Sequence, residues 1–360
     1  MLTTRRAFLR TLTVGAGSLG ATALVAACAP SAAPPSPTQP PTPAAQSATS
    51  APAARVGRTF KAAYLTLGWA GIEAIDALGL LKERGWNVEW QRVGPISGLV
   101  NAFSSGQAEI IDMSAVIVGQ MYEQGVKMNV FGAGVGTLGA VVAGKNSSIA
   151  SIAELKGKKV GGIPGGTTTQ DINASVRKAY GFDVFKETQF VQGTAPPDVA
   201  NLLTKGDVEA VLIWEPTTTQ LTQAGTGTIL ATQQQLWEQA SGSKATEVHV
   251  VYLASPQITR EHPDLLADIN TAQREVAELW TSKDPKLVKA FTEVTQLPES
   301  VVQEALGRTT PLFGLRDETI STIVQQLEFN RQYGTILESD VWSGDTAKIK
   351  NELFVRVGQA

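Results

Sequence analysis

The chain has 360 residues, of which 43% are hydrophobic, with one cysteine, two histidines and a formal net charge of −3. One cysteine cannot form an internal disulfide or a cysteine metal site, and the slightly acidic balance gives nucleic acid nothing to bind. We therefore expect no cofactor, no metal and no nucleic-acid partner.

The first 27 residues have the pattern of an export signal peptide. Arg5, Arg6 and Arg10 precede an uncharged apolar stretch over residues 11–27, which is short beside the ~20 residues of a membrane span. Residues 4–9 resemble a twin-arginine signal. An ordinary secretory signal is the alternative.

The apolar stretch ends at Cys28, which we interpret as a lipidation site. Residues 25–28, Val-Ala-Ala-Cys, resemble a bacterial lipobox in which Val25 replaces the commoner Leu. A diacylglycerol on the thiol would hold the protein on the extracytoplasmic face of the cell membrane, since two acyl chains anchor stably. The alternative is a bystander cysteine.

Residues 28–58 are predicted to be a disordered tether, because Ala, Pro, Ser and Thr dominate them and cannot form a core. Removal of residues 1–27 takes away three arginines and no acid, which leaves 27 basic and 33 acidic residues, a net charge of −6. About 300 residues remain, a size at which two lobes are expected.

Strands and helices are predicted to alternate in the body, which indicates mostly parallel sheets flanked by helices. Strands are expected over residues 60–67, 86–93, 108–113, 158–163 and 208–214, and helices over 72–84, 96–104, 169–179 and 195–205. After Ser255 we expect only helices, packed on the first lobe, over 262–280, 285–293, 299–306 and 317–333. Residues 103–111 align with 203–211 as a helix end, a glycine, an acid and a strand, which predicts two lobes of one topology.

Two nucleotide-binding patterns fail on context. Residues 134–139 match GxGxxG, but residues 140–143 read as a strand where a phosphate-binding helix should begin. Residues 139–145 approach a P-loop but lack the following Ser or Thr. His249 and His262 have no partner at metal-ligand spacing, and no serine lies in a GxSxG elbow.

Residues 160–171 read as a strand, a glycine-rich turn and a helix that begins with Thr167, Thr168 and Thr169. Glycines allow close approach of a ligand, and the unpaired first-turn N–H groups and threonine hydroxyls offer hydrogen bonds. Simple capping of the helix, with Asp171 as a box partner, is the alternative.

Residues 149–160 resemble the segment I-x-S-x-x-D-L-K-G-K-x-V of ABC-importer solute-binding proteins for alkanesulfonates, taurine, nitrate, thiamine precursors and riboflavin. Residues 206–210, 214–216 and 106–110 resemble further elements of that family, with Glu109 in place of its usual Asp. The resemblance implies an α/β fold of the two-lobed periplasmic-binding-protein type II class. It places lobe I at residues 59–143 and 246–360, lobe II at 144–245, and hinge crossovers near Ala143 and Thr246.

The same resemblance implies a transport protein and not an enzyme, expected to be a monomer that works with an ABC permease and ATPase. Eukaryotic relatives form the thiamine pyrimidine with iron, a histidine and a cysteine cluster, and this body has no cysteine. A ligand-sensing module for a partner protein stays open.

Ligands of open α/β sheets bind at the carboxyl ends of strands, and this rule selects the candidate contacts. They are Trp69, Ser97, Ser114, Thr167, Thr168, Thr169, Asp171, Trp214 and Glu215. The strand-end loops contain no Lys or Arg, so we expect a neutral, flat, hydrogen-bonding heterocycle stacked on a tryptophan. Riboflavin is the first choice, with a thiamine pyrimidine precursor or an alkanesulfonate, taurine or nitrate as alternatives. Either tryptophan could instead serve packing.

Overall fold

The computed structural model describes residues 57–343 and 346–358. The predicted signal peptide, Cys28 and almost all of the predicted tether lie outside the described residues. None of the helices in the described part is long and apolar enough to cross a membrane.

Each half of the body is built on one five-stranded sheet. The first sheet begins with strands β1 (Thr59–Leu65), β2 (Asn87–Val93), β3 (Ile110–Ser114) and β4 (Asn129–Gly136), with helices α1 (Ile72–Ala77), α2 (Leu80–Glu83), α3 (Ile96–Ser104) and α4 (Ala115–Glu123). The second sheet contains β5 (Gly139–Gly144), β6 (Lys159–Gly162), β7 (Gln189–Gln192), β8 (Ala210–Trp214) and β9 (Gly227–Thr232), with α5 (Thr167–Tyr180), α6 (Val184–Glu187), α7 (Pro196–Lys205), α8 (Thr217–Gln223) and α9 (Gln233–Ser241).

The chain then returns to the first sheet and ends in helices. The returning elements are β10 (Val248–Ala254), α10 (Pro256–Glu261), α11 (Pro263–Ser282), α12 (Pro285–Thr295), α13 (Glu299–Arg308), α14 (Asp317–Tyr333) and α15 (Thr346–Leu353). We call the first sheet with its helices lobe I and the second sheet with its helices lobe II.

The two sheets have the same topology, β2-β1-β3-β10-β4 and β7-β6-β8-β5-β9. Four strands of each sheet run in the same direction, whereas β10 and β5 run antiparallel to both of their neighbours. The expectation of mostly parallel sheets is therefore confirmed, with one antiparallel strand that makes each sheet mixed. The antiparallel strand in each sheet is the one that the chain forms on arriving from the other lobe.

The internal repeat places two equivalent junctions in the two lobes. The backbone N–H of Glu109 donates to the carbonyl of Lys61, and that of Glu209 donates to the carbonyl of Lys159, both at 2.8 Å. Three residues before each acid, a glycine adopts the left-handed conformation, with φ of 74° and 77°, and ends the preceding helix. The alignment of residues 103–111 with 203–211 is thus structural.

The first crossover between the sheets lies at Thr137–Leu138, because β4 belongs to the first sheet and β5 to the second. The predicted boundary at Ala143 falls at the far end of β5 and is corrected accordingly. The return crossover precedes Val248, in agreement with the predicted position near Thr246. Sequence pattern alone could not separate β4 from β5, since both are glycine- and alanine-rich apolar strands.

The glycines of the rejected nucleotide motif have a packing role. A Cβ atom at Gly134 would lie 2.3 Å from the carbonyl oxygen of Ala70, and one at Gly139 would lie 2.4 Å from side-chain atoms of Gln233 and Thr168. Real Cβ contacts are essentially never that short, so a side chain at Gly134 would require the backbone to move, whereas one at Gly139 would require Gln233 and Thr168 to shift. A strand follows these glycines, as the sequence predicted.

Two helix predictions are corrected. The helix expected over residues 72–84 is two helices, separated at Gly79, whose φ is 67°. The helices after Ser255 pack on lobe I, but they also reach lobe II, since α13 contacts α8 and α14 contacts α5. The C-terminal helices therefore connect the lobes as well as covering one of them.

Candidate ligand-binding site

A cavity lies between the two sheets, at the ends of strands from both lobes. Its lining comes from β1, α3, β3 and β10 of lobe I, from the crossover, and from α5 and β8 of lobe II. The lining residues are Leu65, Gly68, Ile96, Leu99, Asp112, Met113, Ser114, Leu138, Gly166, Thr167, Thr168, Trp214, His249 and Val250. Within the part of the chain that the structure describes, no Lys or Arg lines this cavity.

The lobes touch on both sides of the cavity. Ser114 Oγ of lobe I hydrogen-bonds Thr167 Oγ1 of lobe II, and the indole N–H of Trp214 donates to the Leu67 carbonyl at 3.1 Å. The centres of water molecules can occupy about 50 Å³ of the cavity. Its total free space, including the part open to solvent, is about 470 Å³. The first volume is several times the ~10–15 Å³ that one water needs. The cavity thus has room for a small ligand.

The predicted threonine cluster begins helix α5 at the cavity. Thr167 and Thr168 line the cavity, so the unpaired N–H groups of the first turn lie at its wall. Thr169 is fully buried, and its hydroxyl accepts the N–H of Ile163 at 3.3 Å. Two of the three threonines are therefore placed for a ligand, and the third holds the preceding turn.

The two tryptophans have different environments. Trp214 lines the cavity. Trp69 is fully buried, packs against Trp280 and Phe291 with ring centroids 5.5 and 4.5 Å away, and donates its N–H to the Thr309 hydroxyl at 3.2 Å. The prediction that Trp69 stacks on a ligand is corrected, because neighbouring aromatic rings already cover it.

Ser97 and Glu215 lie outside the cavity. Ser97 is exposed in the first turn of α3, whereas its neighbours Ile96 and Leu99 line the cavity. Glu215 is buried on the other side of Leu138, where its carboxylate accepts the Thr219 N–H at 3.0 Å and faces a separate polar groove. Neither side chain is placed to contact a ligand in the cavity.

Asp171 is also outside the cavity, one turn further along α5. It is 2% exposed, and its two oxygens accept N–H groups of Asn330 at 2.9 Å and Gln233 at 3.1 Å. Burial raises the pKa of Asp171 to about 7. The predicted direct contact between Asp171 and a ligand is therefore corrected to a position behind the cavity wall.

Two polar residues of the cavity were missed by the sequence analysis. Asp112 lies in the otherwise apolar strand β3, and His249 lies in β10. Burial, followed by the charge of nearby Glu73, raises the pKa of Asp112 well above its usual range. Burial lowers the pKa of His249 to about 4. The sequence signal for Asp112 was an acidic residue inside an otherwise apolar strand. No sequence signal marked His249 as a residue of the cavity.

The chain matches the model of one protein family, described as "NMT1/THI5 like", over residues 69–296. The match spans more than half of the chain and includes both crossovers. The chain belongs to the NMT1/THI5-like family. No curated protein matches it.

Solved structures with the fold of this NMT1/THI5-like chain include transport proteins from several bacteria. The periplasmic aliphatic sulphonate binding protein of Escherichia coli is 18% identical, with 76% of this chain and 87% of that chain covered and a TM-score of 0.65. The alkanesulfonate-binding protein of Xanthomonas axonopodis pv. citri, bound to MOPS, is 16% identical, with coverages of 77% and 95% and a TM-score of 0.66. The periplasmic nitrate-binding protein of Synechocystis is 16% identical, with coverages of 82% and 86% and a TM-score of 0.62. These likenesses confirm the two-lobed periplasmic-binding-protein type II fold.

The different environments of the two tryptophans generate a prediction. Trp69→Phe should lower the free energy of unfolding, because it removes packing contacts and a buried hydrogen bond. Complete truncation of a buried Trp to Ala costs about 3–5 kcal/mol, and the loss in Trp69→Phe should be smaller. Trp214→Phe should instead weaken ligand binding more than it weakens the fold. Chemical denaturation and calorimetric titration of both variants check this. Loss of affinity in folded Trp69→Phe, with no loss in Trp214→Phe, would restore Trp69 to the site.

The buried Glu215 generates a second prediction. Burial raises its pKa from 4.5 to about 7, so its neutral form stabilises the folded state fully below pH 4.5, and this contribution is lost as the pH rises through 7. Between pH 4 and pH 8 the wild type should lose about 3 kcal/mol that Glu215→Gln keeps. Urea denaturation across this range measures it, with exposed Glu261→Gln as the matched control. Parallel pH profiles for wild type and Glu215→Gln would contradict the assignment.

Proposed function

We propose that this protein is the solute-binding component of an ABC importer. The observation that carries the proposal is the cavity between two lobes that touch at Ser114–Thr167 and at Trp214–Leu67. Ligand pockets commonly lie at such interfaces and bury most of the surface of a small ligand. Family membership and the sulphonate and nitrate proteins of the same fold support transport over catalysis.

Capture requires movement of the lobes. The contacts of Ser114 with Thr167 and of Trp214 with Leu67 hold the lobes together beside the cavity. The two crossovers at Thr137–Leu138 and before Val248 are the places where the chain can bend to part them. Closure of two lobes about such hinges is a common response to ligand binding. We propose that the protein alternates between an open form and the closed form described here.

The solute that fits best is a single-ring, hydrogen-bonding heterocycle. The cavity leaves about 50 Å³ for the centres of water molecules, which suits one small ring. Riboflavin would bring three fused rings and a ribityl chain. Trp214 offers an apolar face. Asp112 and the threonines at the start of α5 offer donors and acceptors. We therefore place a thiamine pyrimidine precursor ahead of riboflavin, the first choice from sequence alone.

An aminopyrimidine is complementary to Asp112 in particular. A neutral carboxyl group has one O–H donor and one carbonyl acceptor side by side, and an aminopyrimidine has a ring nitrogen beside an N–H donor. The raised pKa of Asp112 favours this neutral form. Two parallel hydrogen bonds in a buried site would orient the ring against Trp214.

A small anion such as a sulfonate or nitrate is the second candidate. It is favoured by the N-terminus of the long helix α5 at the cavity wall, which attracts negative charge. It is disfavoured by the absence of Lys or Arg among the described lining residues. An anion would bind only with Asp112 protonated.

Parallel calorimetric titrations distinguish these ligands. We expect the thiamine pyrimidine to bind, and riboflavin, taurine and nitrate to give no heat. Asp112→Leu should weaken pyrimidine binding about ten- to hundredfold, because it removes both hydrogen bonds, whereas Asp112→Asn should retain much of the affinity. Tight binding of taurine or nitrate without heat from the pyrimidine would establish the anion reading. Riboflavin binding would show that the lobes close less tightly than here.

We also propose that Cys28 carries a lipid anchor and that residues 28–58 tether the body to the extracytoplasmic face of the cell membrane. The support is the lipobox-like sequence Val25-Ala26-Ala27-Cys28 and the absence of any other cysteine in the chain. A tethered monomer could deliver its solute to a permease driven by an ATPase subunit.

Replacement of the cysteine tests the anchor. Cys28→Ser should move the protein from the membrane fraction to the soluble exported fraction, because the acyl chains have no attachment point. Fractionation after high-salt and carbonate washes, followed by immunoblotting, measures the change. A variant that stays in the membrane fraction would refute the anchor without affecting the ligand proposal.

A further inference from the structure

Behind the cavity wall, polar side chains from both lobes form a buried cluster, which we call the interlobe cluster. Lobe II contributes residues of α5 and α9, and lobe I contributes residues of β10 and α14 together with the residue before β10. The members are Thr168, Asp171, Gln233, Glu247, His249 and Asn330, and none is more than 7% exposed. Buried polar groups are costly unless they are hydrogen-bonded, so their bonding pattern is informative.

Two carboxyl groups in the cluster share one amide. The NH₂ group of Gln233 donates to Asp171 Oδ2 at 3.1 Å and to Glu247 Oε2 at 2.9 Å. Asp171 gains a second donor on its other oxygen from Asn330 at 2.9 Å. Burial and then the charge of Asp171 raise the pKa of Glu247 well above its usual range. The two carboxyl groups titrate as a coupled pair, and donors on both of its oxygens favour Asp171 as the ionised member.

His249 connects this cluster to the cavity. Its ring lines the cavity, and its Nε2 lies 3.5 Å from the hydroxyl of Thr168, which also lines the cavity. Its Nδ1 has no hydrogen-bond partner among the described residues and lies 4.0 Å from Asp171 Oδ2. A shift of about 1 Å would bring these two atoms to hydrogen-bonding distance.

The unpaired Nδ1 atom is one of three unsatisfied atoms in the cluster. The side-chain oxygens of Gln233 and Asn330 also lack partners within the described chain. Each unsatisfied buried group costs about 1–3 kcal/mol. Because some of its hydrogen bonds are unmade, this network gains free energy if ligand binding lets its side chains move and complete them.

We propose that His249 is a specificity-determining ligand contact and that Asp171 is its positioning residue. In the ligand-bound state, Nδ1–H of His249 donates to Asp171, which leaves the lone pair of Nε2 as an acceptor at the cavity wall. The site then selects solutes that carry an N–H or O–H donor and discriminates against acceptor-only anions. This inference rests on the proposed solute-binding function and deepens it.

The pair is made across the lobes, which links specificity to closure. His249 is in β10 of lobe I, and Asp171 is in α5 of lobe II, so opening the lobes separates them. The acceptor is therefore oriented only in the closed form. A solute without a donor would gain nothing from closing this part of the interface.

The titratable groups around His249 fix the direction of the pH dependence. Asp171 and Glu247 face it in the cluster, Asp112 is the other titratable group of the cavity lining, and the facing side chains of α9 and α14 are neutral amides. As the pH falls through about 7, Asp171 takes up a proton and can no longer fix the Nδ1–H form. Affinity for a donor-bearing solute should therefore fall below pH 7, whereas His249 itself stays neutral down to about pH 4.

Nitrogen-15 NMR of the imidazole rings tests the positioning role, because the chain contains only two histidines. His262→Gln assigns the two signals and serves as the control. With the thiamine pyrimidine present at pH 8, we expect His249 in the Nδ1–H form, and Asp171→Asn should convert it to a mixture of tautomers. An Nε2–H form in the wild type, or a tautomer that Asp171→Asn leaves unchanged, would overturn the proposal. Should the pyrimidine give no binding, the spectra are recorded with riboflavin, which also carries an N–H donor, and the same forms are expected. Binding of nitrate alone, an acceptor-only anion, would overturn the proposal.

A pair of matched solutes tests the specificity. The two solutes are the thiamine pyrimidine and the same ring with methyl in place of the amino group. The ratio of their affinities should favour the thiamine pyrimidine about three- to tenfold more in the wild type than in His249→Phe. His249→Gln, which keeps an acceptor, should recover part of this preference. Asp171→Asn should reduce the preference and flatten its dependence on pH between 6 and 8.

The outcomes separate this inference from the proposed function. If neither pyrimidine binds the wild type, the proposed solute is wrong, and the NMR experiment alone decides the role of His249. If both bind and His249→Phe discriminates between them as the wild type does, the solute-binding function stands and His249 is not the selector. Thermal melts of each variant confirm that the compared proteins are folded.

Discussion

The structure depends on one constraint: the two sheets are joined by two short crossovers, which fix how the strands of each sheet are ordered. At Thr137–Leu138 the chain leaves β4 and immediately becomes β5 of the other sheet, and before Val248 it returns as β10. Each arriving strand is antiparallel to both neighbours and lies next to the innermost parallel strand of its sheet. The carboxyl ends of β3 and β8 are thereby brought to one cavity, where Ser114 and Trp214 lie.

The interface between the lobes combines apolar walls with buried ionisable groups. Leu138 lines both the cavity and the groove that Glu215 faces. Burial raises the pKa values of Asp171 and Glu215 to about 7. Carboxyl groups in such positions cost stability at neutral pH.

Much of the fold followed from local patterns. The helix over residues 96–104, the strands around residues 60–65 and 210–214, and the succession of helices after Ser255 appear as predicted, since amphipathic period and strand-forming runs are local properties. The two equivalent junctions were also visible, because a glycine and an acid mark the same turn in each lobe. The split of the first helix at Gly79 was missed, because an isolated glycine inside a helical pattern is often tolerated.

The candidate site was only partly accessible to the same reasoning. The strand-end rule found Ser114, Thr167, Thr168 and Trp214, which line the cavity. It also selected Trp69, whose loop leaves a strand end but turns its side chain into an aromatic cluster. The direction of a side chain at a strand end depends on the neighbours that cover it, and those come from Trp280 and Phe291, more than two hundred residues away in sequence.

The sequence by itself determined the α/β class, the doubled topology, the family and the glycine-rich turn that begins α5. It also determined the lipobox-like segment ending at Cys28, which needs no fold to be read. Only the tertiary structure decided that His249 faces the cavity, that Asp171 is sequestered behind it, and that the closed space is small. Those facts depend on atoms brought together from residues 112, 171, 249 and 330, and distances between remote segments are set by packing and not by any local pattern.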